Sequence, residues 1–545
     1  MKRCGLIGAA VLWTACSPGG TTDPGVDVVD TVPPDDASCT PGETACNGEF
    51  ARLCRADGSG WQTQYCDPAQ GMTCSPTTGL CQGACAPQYL GATYMGCDYY
   101  PTISGNDVIS DFEFAVAISN TTSNRATVTI DWGALTEPLV FDVLPGAVVT
   151  QTLPWVEKLK GCWGGQATLC PDRAWPVPTL APKGSYHLRT TQPVTVYQFS
   201  PLDYHQTEGR DEIFSYTNDA SLLFPVNAMG TEYFVAAWPV MPSPGGIETG
   251  SPSEMAITAV ADGTHVTITS RAEADGGPLA PALEIGLPVE ATLQQGDVLA
   301  YFSYTGDFTG TRVESDKPVQ VIGGHYCTYI PFGTGYCDHL EESMIPLSSL
   351  STRYAVSPPA VTSMPDGKIR YVRIIATADD TTVSYDPPQA AATHLVRAGD
   401  FIELPATTAT FVVDANKKIV VAQYMEGQDA GGGMGDPAMA LAVPIDQFRL
   451  SYLFHAPTNY EVNYVEVFGA VDAEIVLDGD PIGALAGIGD SGIGHRRIVL
   501  DDGPRADGNH EIQADQEFGI SVYGYGQYTS YWYPGGLDLD QIILE

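Results

Sequence analysis

An alternating pair of β-strands recurs four times along the chain, and this repetition limits the possible folds more than any other feature. Each pair is followed by a polar turn that leads into a short apolar strand. Three of the rounds end at a proline, and a strand that contains a tyrosine follows that proline. The four strand pairs are 114–118 with 127–130, 255–259 with 265–268, 371–375 with 382–385, and 464–468 with 474–477.

Rounds of roughly 100 residues, each with about eight short strands, predict an all-β protein made of repeated β-sandwich-like modules. A β-propeller with two blades per round is the alternative, because closing a ring also protects strand edges. In the two middle rounds, the turn pairs at 262–263 and 379–380 predict that the paired strands form hairpins. We expect the repeats to span about 85–224, 225–345, 346–443 and 444–545.

A cysteine-rich segment, 39–84, precedes the repeats and contains few aliphatic residues. So small a core needs covalent cross-links, and an oxidising compartment supplies them as disulfides. The segment has no Cys-x-x-Cys knuckle, which argues against a structural zinc. We therefore expect three disulfides, with a connectivity that the sequence leaves open, among Cys39, Cys46, Cys54, Cys66, Cys74 and Cys81.

The remaining cysteines of the body pair as sequence neighbours: Cys85 with Cys97, Cys162 with Cys170, and Cys327 with Cys337. The last pair stands beside His325 and His339, so two imidazoles and two thiolates could instead hold zinc. In an exported protein, however, thiols this close in sequence are easily joined. A disulfide is therefore the prediction at Cys327 and Cys337, and zinc is the alternative.

The N-terminus predicts export. A basic start and an apolar run too short to span a bilayer indicate a cleaved signal peptide at 1–15. Cys16 follows small residues and resembles the acylated cysteine of a bacterial lipobox, although Trp13 stands where an aliphatic residue is usual. An ordinary signal peptide cut near Ala15 is the alternative.

Residues 16–38 are rich in Pro, Gly, Thr and Asp and contain no aromatic residue, which predicts a flexible tether. By the lipobox resemblance, Ser17 after the modified cysteine indicates the outer membrane of a diderm bacterium. Because no second hydrophobic stretch of ~18 residues follows, the lipid is expected to be the only membrane anchor. These features together predict an exported, cell-surface lipoprotein.

Acidic side chains dominate the charge, with 65 Asp and Glu against 25 Lys and Arg and a formal net charge of -40. Such a surface repels nucleic acid and anionic lipid, so neither is expected as a partner. Carboxylates at this density could attract Ca²⁺, but a solvated surface without bound ions is the favoured explanation. We expect no cofactor, with Ca²⁺ as the alternative.

Several stretches of 85–545 match a known pattern: YMGCDYYP at 94–101, DASLLFP at 219–225, the run 308–327, CDHLEE at 337–342, the run 435–437, and SYWYPGG at 530–536. They resemble the bacterial members of the IgGFc-binding protein N-terminal domain family. The departure is modest, since Ser343 and Met344 stand where Gln-Leu-Pro is expected. The resemblance implies that Cys327 and Cys337 are paired and structural. It implies antibody binding only for the animal member of the family.

The sequence lacks the nucleophile elbow, zinc-protease helix and phosphate loop that commonly mark enzymes. We therefore expect a surface binding or adhesion protein that recognises an extracellular glycan, matrix or protein ligand without catalysis. The alternatives are an envelope glycan hydrolase, which needs a carboxylate pair in a cleft, and a passive Ca²⁺-stabilised spacer. A crowd of aromatic residues near the C-terminus could contact a ligand, with core packing as the competing interpretation: Tyr523, Tyr525, Tyr528, Tyr531, Trp532 and Tyr533.

Overall fold

The computed structural model describes residues 39–161, 176–208, 211–242, 250–361, 363–364, 367–430, 432–500 and 507–543. The expected signal peptide, the tether with Cys16, and the pair Cys162 and Cys170 lie outside these residues. The described part is built almost entirely of β-strands, which confirms the all-β prediction. Among the described residues, no helix has the length and apolar character needed to cross a membrane.

The cysteine-rich segment forms two small antiparallel sheets: β1 (Thr44–Asn47), β2 (Phe50–Cys54) and β3 (Trp61–Tyr65), then β4 (Thr73–Cys74) and β5 (Cys81–Gln82). The 3-10 helix Pro68–Gln70 completes the segment, and a second 3-10 helix, Pro87–Tyr89, follows it. Its disulfides join Cys39 to Cys54, Cys46 to Cys74, and Cys66 to Cys81. Cysteine sulfurs make up much of its small core, so the cross-links replace the aliphatic packing that the sequence lacks.

The rest of the chain contains four units with one topology. In each unit the first, third and fourth strands form one sheet with the start of the sixth strand. The second, fifth and seventh strands form another sheet with the end of the sixth strand. Residues from both sheets fill a shared core, as in a β-sandwich. The four units therefore agree with the predicted sandwich-like repeats, while the expected module boundaries stay a prediction.

The first unit contains β6 (Gly96–Tyr99), β7 (Phe114–Ser119), β8 (Ala126–Trp132), β9 (Leu139–Val143), β10 (Val148–Leu153), β12 (Tyr186–Ser200) and β15 (Asp219–Leu223). Three further elements are inserted: the helix α1 (Glu157–Lys160), the strand β11 (Thr179–Ala181), and the hairpin of β13 (His205–Glu208) and β14 (Asp211–Phe214). Strand β11 pairs with β20 of the second unit, so a strand inserted in the first unit adds to a sheet of the second.

The second unit contains β16 (Glu232–Phe234), β17 (Ser253–Ala259), β18 (Thr264–Thr269), β19 (Pro288–Leu293), β20 (Val298–Ser303), β21 (Arg312–Ser315), β22 (Val319–Thr328) and β23 (Asp338–Ser343). The third contains β24 (Arg353–Val356), β25 (Arg370–Ala376), β26 (Thr381–Asp386), β27 (His394–Leu395), β28 (Phe401–Thr407), β29 (Phe411–Ala415), β30 (Ile419–Met425) and β31 (Met439–Leu441). In both units the sixth strand is split in two where it changes sheet, into β21 and β22 in the second unit and into β29 and β30 in the third.

The fourth unit contains β32 (Arg449–His455), β33 (Val462–Ala470), β34 (Ile475–Leu477), β35 (Asp480–Pro481), β37 (Ile493–Leu500), β38 (Asn509–Gly526) and β39 (Thr529–Pro534). The two-residue strand β36 (Ala486–Gly487) is inserted before β37 and pairs with it. Here, as in the first unit, one long strand serves both sheets. A proline and a short 3-10 helix precede each of the last three units, at Val226–Ala228, Leu347–Ser349 and Ile445–Gln447.

The predicted hairpins in the two middle rounds are wrong. Strand β17 pairs with β20 and β22, whereas β18 pairs with β19 and β21 in the opposite sheet. The third unit behaves in the same way, because β25 and β26 lie in different sheets. The turn residues reverse the chain as expected, but the reversal crosses the sandwich. Both strands can then place apolar side chains on one core without being hydrogen-bonded to each other.

Each unit begins with a tyrosine whose hydroxyl joins the two sheets. The hydroxyl accepts a hydrogen bond from the backbone N–H three residues earlier and donates to a carbonyl of the sixth strand. The acceptors are the carbonyls of Val194, Val319, Ile419 and Phe518, each near the point where that strand changes sheet. The N–H to hydroxyl distances are 2.9 Å at Tyr99, 2.8 Å at Tyr233, 3.1 Å at Tyr354 and 3.1 Å at Tyr452. This shared contact makes the four units structural equivalents.

The seventh strands of the four units meet at the centre of the molecule. Strand β15 packs against β23 and β39, and β31 packs against the same two strands, so the contacts close a cycle. We call these four the inner strands. Asp219 of β15 accepts backbone N–H hydrogen bonds from the other three inner strands, at Glu341, Met439 and Trp532. The loops before the inner strands are therefore brought to a common place.

Candidate functional site

Five rings form a continuous row on the loops that lead into the inner strands, and we call them the aromatic row. His205 and Phe214 stand on the β13–β14 hairpin, with Tyr216 on the loop that follows. Tyr528 lies in the β38–β39 turn, and Tyr336 precedes β23. Successive ring centroids, in the order His205, Phe214, Tyr216, Tyr528 and Tyr336, are 5.0, 5.7, 5.9 and 4.6 Å apart.

The aromatic row is accessible. Tyr216 is 45% exposed and Tyr336 is 47% exposed, while the other three rings are partly exposed. Phe332, on the same loop as Tyr336, is 44% exposed. Large exposed rings that lie together are unusual on a protein surface and mark places where ligands or partner proteins bind.

The three tyrosines of the row share an uncommon backbone conformation. Tyr216, Tyr336 and Tyr528 have φ values of 60°, 67° and 62°, in the left-handed region that bulky residues rarely adopt. Such strain persists only where the surrounding structure fixes the residue, and it concentrates at functional sites. The three loops therefore hold their rings in place rather than letting them fold onto the nearest apolar surface.

A single buried carboxylate ties the three tyrosine loops together beneath the rings. Asp338 Oδ1 accepts the N–H groups of Asn218 at 2.5 Å and His339 at 2.9 Å. Its Oδ2 accepts the N–H of Ser530 and the hydroxyl of Thr529, both at 3.2 Å. Burial raises the pKa of Asp338, and the N–H groups that it accepts oppose this shift. The loops of Tyr216 and Tyr528 thus contribute donors one or two residues after their tyrosines, and Asp338 itself stands two residues after Tyr336.

The loop of the third unit completes the surface. The side-chain oxygen of Gln428 accepts the N–H of Tyr528 at 3.3 Å. Asp429 lies against Gly335, where an added Cβ would come within 2.6 Å of the carboxylate. All four units therefore contribute to this site, and an ordinary side chain at position 335 would displace Asp429 from beside Tyr336.

The surroundings of the aromatic row are negatively charged. The Glu212 carboxylate lies 4.0 Å from the His205 ring and its side chain is 66% exposed. Tyr528, and then Asp429, raise the pKa of Tyr336. Burial raises the pKa of the neighbouring Tyr204, with Glu461 and Glu212 adding to it. The carboxylates of Glu212 and Asp429 beside the row make the local potential negative.

A disulfide closes the loop that bears Phe332 and Tyr336. The sulfurs of Cys327 and Cys337 are 2.05 Å apart, so neither is free to act as a zinc ligand. The other two members of the zinc alternative, His325 and His339, are buried nearby, and the His339 Nδ1 lies 3.1 Å from the His325 carbonyl oxygen. Within the described ranges, no group of three or more His, Cys, Asp or Glu residues is arranged to hold a metal. A further disulfide joins Cys85 to Cys97.

The C-terminal aromatic residues mostly serve the core. Tyr523, Tyr525, Tyr531, Trp532 and Tyr533 are buried, and Tyr528 alone of the six contributes to the aromatic row. The other row residues were not predicted, because they are scattered along the chain. A usable signal existed in the spacing, since each row tyrosine stands two positions before a polar residue, at Asn218, Asp338 and Ser530.

A buried cluster has the composition of a hydrolase centre. The Ser104 hydroxyl donates to Glu341 at 2.7 Å and lies 3.2 Å from the His339 Nε2. A Glu254 carboxylate oxygen lies 3.7 Å from the His339 Nδ1. Ser104 is 4% exposed and the other three residues are at most 2% exposed. A nucleophile must reach its substrate, so this cluster is better explained as polar packing between the first two units.

The fold and site define a multi-unit all-β protein with disulfide bonds and an exposed aromatic surface. The family model described as IgGFc binding protein matches residues 219–524. The chain belongs to this family. The matched region contains Tyr336, Asp338 and the Cys327–Cys337 disulfide, whereas the other four residues of the aromatic row lie just outside it.

Among curated proteins, the chain is similar to the human IgGFc-binding protein, with 25% identity over 321 residues. The match covers 58% of this chain but only 6% of the human protein, so the chain spans a small part of that relative. Among solved structures, the native α-L-rhamnosidase of Aspergillus terreus overlaps 66% of this chain and 50% of its own, at 9% identity. Its TM-score of 0.11 is too low to support any argument from that enzyme.

Proposed function

We propose that this protein is a cell-surface binding or adhesion protein that recognises an extracellular glycan, matrix or protein ligand without chemical turnover. The aromatic row is the observation that supports this most directly, because its rings are exposed, in contact with one another and fixed by strained loops. Membership of the IgGFc binding protein family is in keeping with a binding role. In this proposal the protein is bacterial, exported, and held at the outer membrane by a lipid on Cys16.

A soluble 39–545 fragment tests the binding proposal, because it retains every described contact. The fragment would be applied to arrays of glycans, matrix proteins and serum proteins, with human IgG Fc included because the human relative is named for it. Ligands found in this way are expected to bind Tyr216→Ala and Tyr336→Ala more weakly, by about tenfold when both rings are removed, since exposed aromatic anchors dominate binding energy. Isothermal titration calorimetry of each variant measures the change.

Tyr89→Ala is the matched control, because Tyr89 is 69% exposed just after the cysteine-rich segment and lies outside the row. Its affinity should equal that of the unaltered fragment. Equal losses at Tyr89 and at the row would contradict the proposed site. Chemical turnover of an arrayed glycan would contradict the binding proposal and favour the envelope hydrolase. Absence of any ligand would favour a passive spacer.

The lipid anchor has its own test. Cells expressing the full chain should incorporate labelled palmitate into it, and Cys16→Ala should abolish the label, because the acylated thiol is then missing. The variant should also leave the membrane fraction, since one lipid anchor is all that this proposal provides. Labelling that persists in Cys16→Ala would refute the lipoprotein assignment and leave the ordinary signal peptide as the explanation.

A further inference from the structure

We propose that the aromatic row binds a cationic polypeptide segment, with Lys or Arg side chains of the partner placed over the tyrosine rings. This inference rests on the proposed binding function and names the chemistry of its ligand. A cation above a tyrosine ring is attracted by the negative face of the ring, and nearby carboxylates add to that attraction. The row offers both elements side by side.

Two exposed carboxylates stand at the row: Glu212, beside His205, and Asp429, beside Tyr336. Asp203 and Glu461 lie further along the same edge, near Tyr204, and an Asp203 oxygen accepts from the Asn459 amide at 2.8 Å. The whole chain, with these carboxylates included, carries a formal net charge of -40. A basic partner is therefore steered toward this surface, whereas a sulfated or sialylated glycan is repelled from it.

The same chemistry occurs inside the protein, most fully around Arg373. The Arg373 guanidinium lies over the rings of Trp238, Phe401 and Tyr424, with its carbon 4.3, 4.6 and 5.4 Å from their centroids. Its nitrogens contact the carboxylates of Asp307 and Glu403, both at 2.9 Å. This internal site surrounds a cation with rings and carboxylates. The aromatic row offers the same two kinds of group to a cation of a partner.

Among the described residues, no Lys or Arg side chain lies over a ring of the row. In the described part of the chain, the cation–π contacts involve rings outside the row: Trp61, Tyr94, Trp132, Trp155, Trp238, Phe401, Tyr424 and Tyr525. Exposed ring faces beside carboxylates are thus available to a cation from another molecule. A neutral glycan could stack on the rings but would make no use of the charge around them, so a basic polypeptide fits the surface better.

The test compares three probes on the soluble 39–545 fragment at physiological salt, by fluorescence anisotropy. They are an (Arg-Gly)4 peptide, a (Gln-Gly)4 peptide of equal length, and a neutral N-acetylglucosamine tetramer. The Arg peptide is expected to bind at least about tenfold more tightly than the Gln peptide. Removing Tyr216 or Tyr336 as alanine should weaken the Arg peptide about two- to fivefold each, the range for exposed cation–π contacts.

Tyrosine to alanine changes no charge, so a loss there cannot come from general attraction to an acidic protein. Tyr216→Phe and Tyr336→Phe keep the ring and should retain affinity, and Tyr89→Ala should have no effect. Glu212→Gln should weaken the Arg peptide and flatten its salt dependence. Circular dichroism of each variant checks that the fold is kept.

If the row variants bound the Arg peptide as tightly as the unaltered fragment, this inference would be overturned, because the peptide would then be attracted to the acidic protein as a whole. Tighter, tyrosine-dependent binding of the neutral tetramer would also overturn it, while leaving the proposed binding function intact. Failure of the fragment to bind anything on the wider arrays would instead count against the proposed function itself.

Discussion

Replacing Asp219 by alanine is expected to lower the free energy of unfolding by about 4 kcal/mol, because four buried backbone N–H groups lose their acceptor at about 1 kcal/mol or more each. The donors are Ala220 at 2.9 Å, Glu341 and Met439 at 3.1 Å, and Trp532 at 3.2 Å. They belong to the inner strands of all four units. Guanidinium unfolding followed by circular dichroism should show the first transition at a lower denaturant concentration.

Two further variants make this expectation specific to the hydrogen bonds of Asp219. Asp219→Asn keeps one acceptor oxygen and places an amide N–H₂ against the remaining donors, so its loss should be intermediate, about 2 kcal/mol. Asp142→Ala removes a surface carboxylate that pairs with Arg125 and should change stability by less than about 0.5 kcal/mol. If Asp219→Ala and Asp142→Ala lowered the free energy of unfolding equally, the four N–H hydrogen bonds to Asp219 would not be what joins the inner strands.

The repeated units could be predicted from the sequence because each contains the same succession of short strands. Burial alternates along β8, β18 and β26, as the strand pattern requires. The pairing of strands within each sheet was harder to predict. Alternating apolar residues show which face of a strand is buried, but they do not show which strand lies beside it. That is why Asp262 and Gly263 correctly marked a chain reversal but wrongly predicted a hairpin. Pairing was decided by the sixth strand, which reaches both sheets from about 50 residues further along.

The candidate site was harder to predict because it forms only when the inner strands meet. Tyr216, Tyr336 and Tyr528 are separated by more than 100 residues in sequence, and the local pattern that they share is only a polar residue two positions after each tyrosine. The local density of aromatic residues pointed to the C-terminus, where burial in the core explains five of six rings. Asp219 and Asp338 both stood in the stretches that resemble the family. Their roles still required the fold, because their donors come from distant strands.

Asp338→Ala is expected to weaken ligand binding at the aromatic row by about tenfold or more. The three tyrosine loops lose their shared acceptor, so the rings must be ordered again when a ligand binds, at a cost of about 0.5–1.5 kcal/mol for each side chain. Stability should also fall, because the N–H groups of Asn218, His339 and Ser530 lose their partner inside the protein. Titration calorimetry with the best arrayed ligand measures the first effect, and thermal unfolding measures the second.

Glu342→Ala separates positioning from stability in this experiment. Glu342 is a buried carboxylate on the same strand, β23, and one of its oxygens accepts the N–H of Ser343 rather than a donor from the tyrosine loops. Its removal should leave a cavity and lower the melting temperature, while the ligand affinity stays within about twofold of the unaltered fragment. If Asp338→Ala and Glu342→Ala weakened binding equally, Asp338 would act only through overall stability. A loss confined to Asp338→Ala would show that this carboxylate positions the aromatic row.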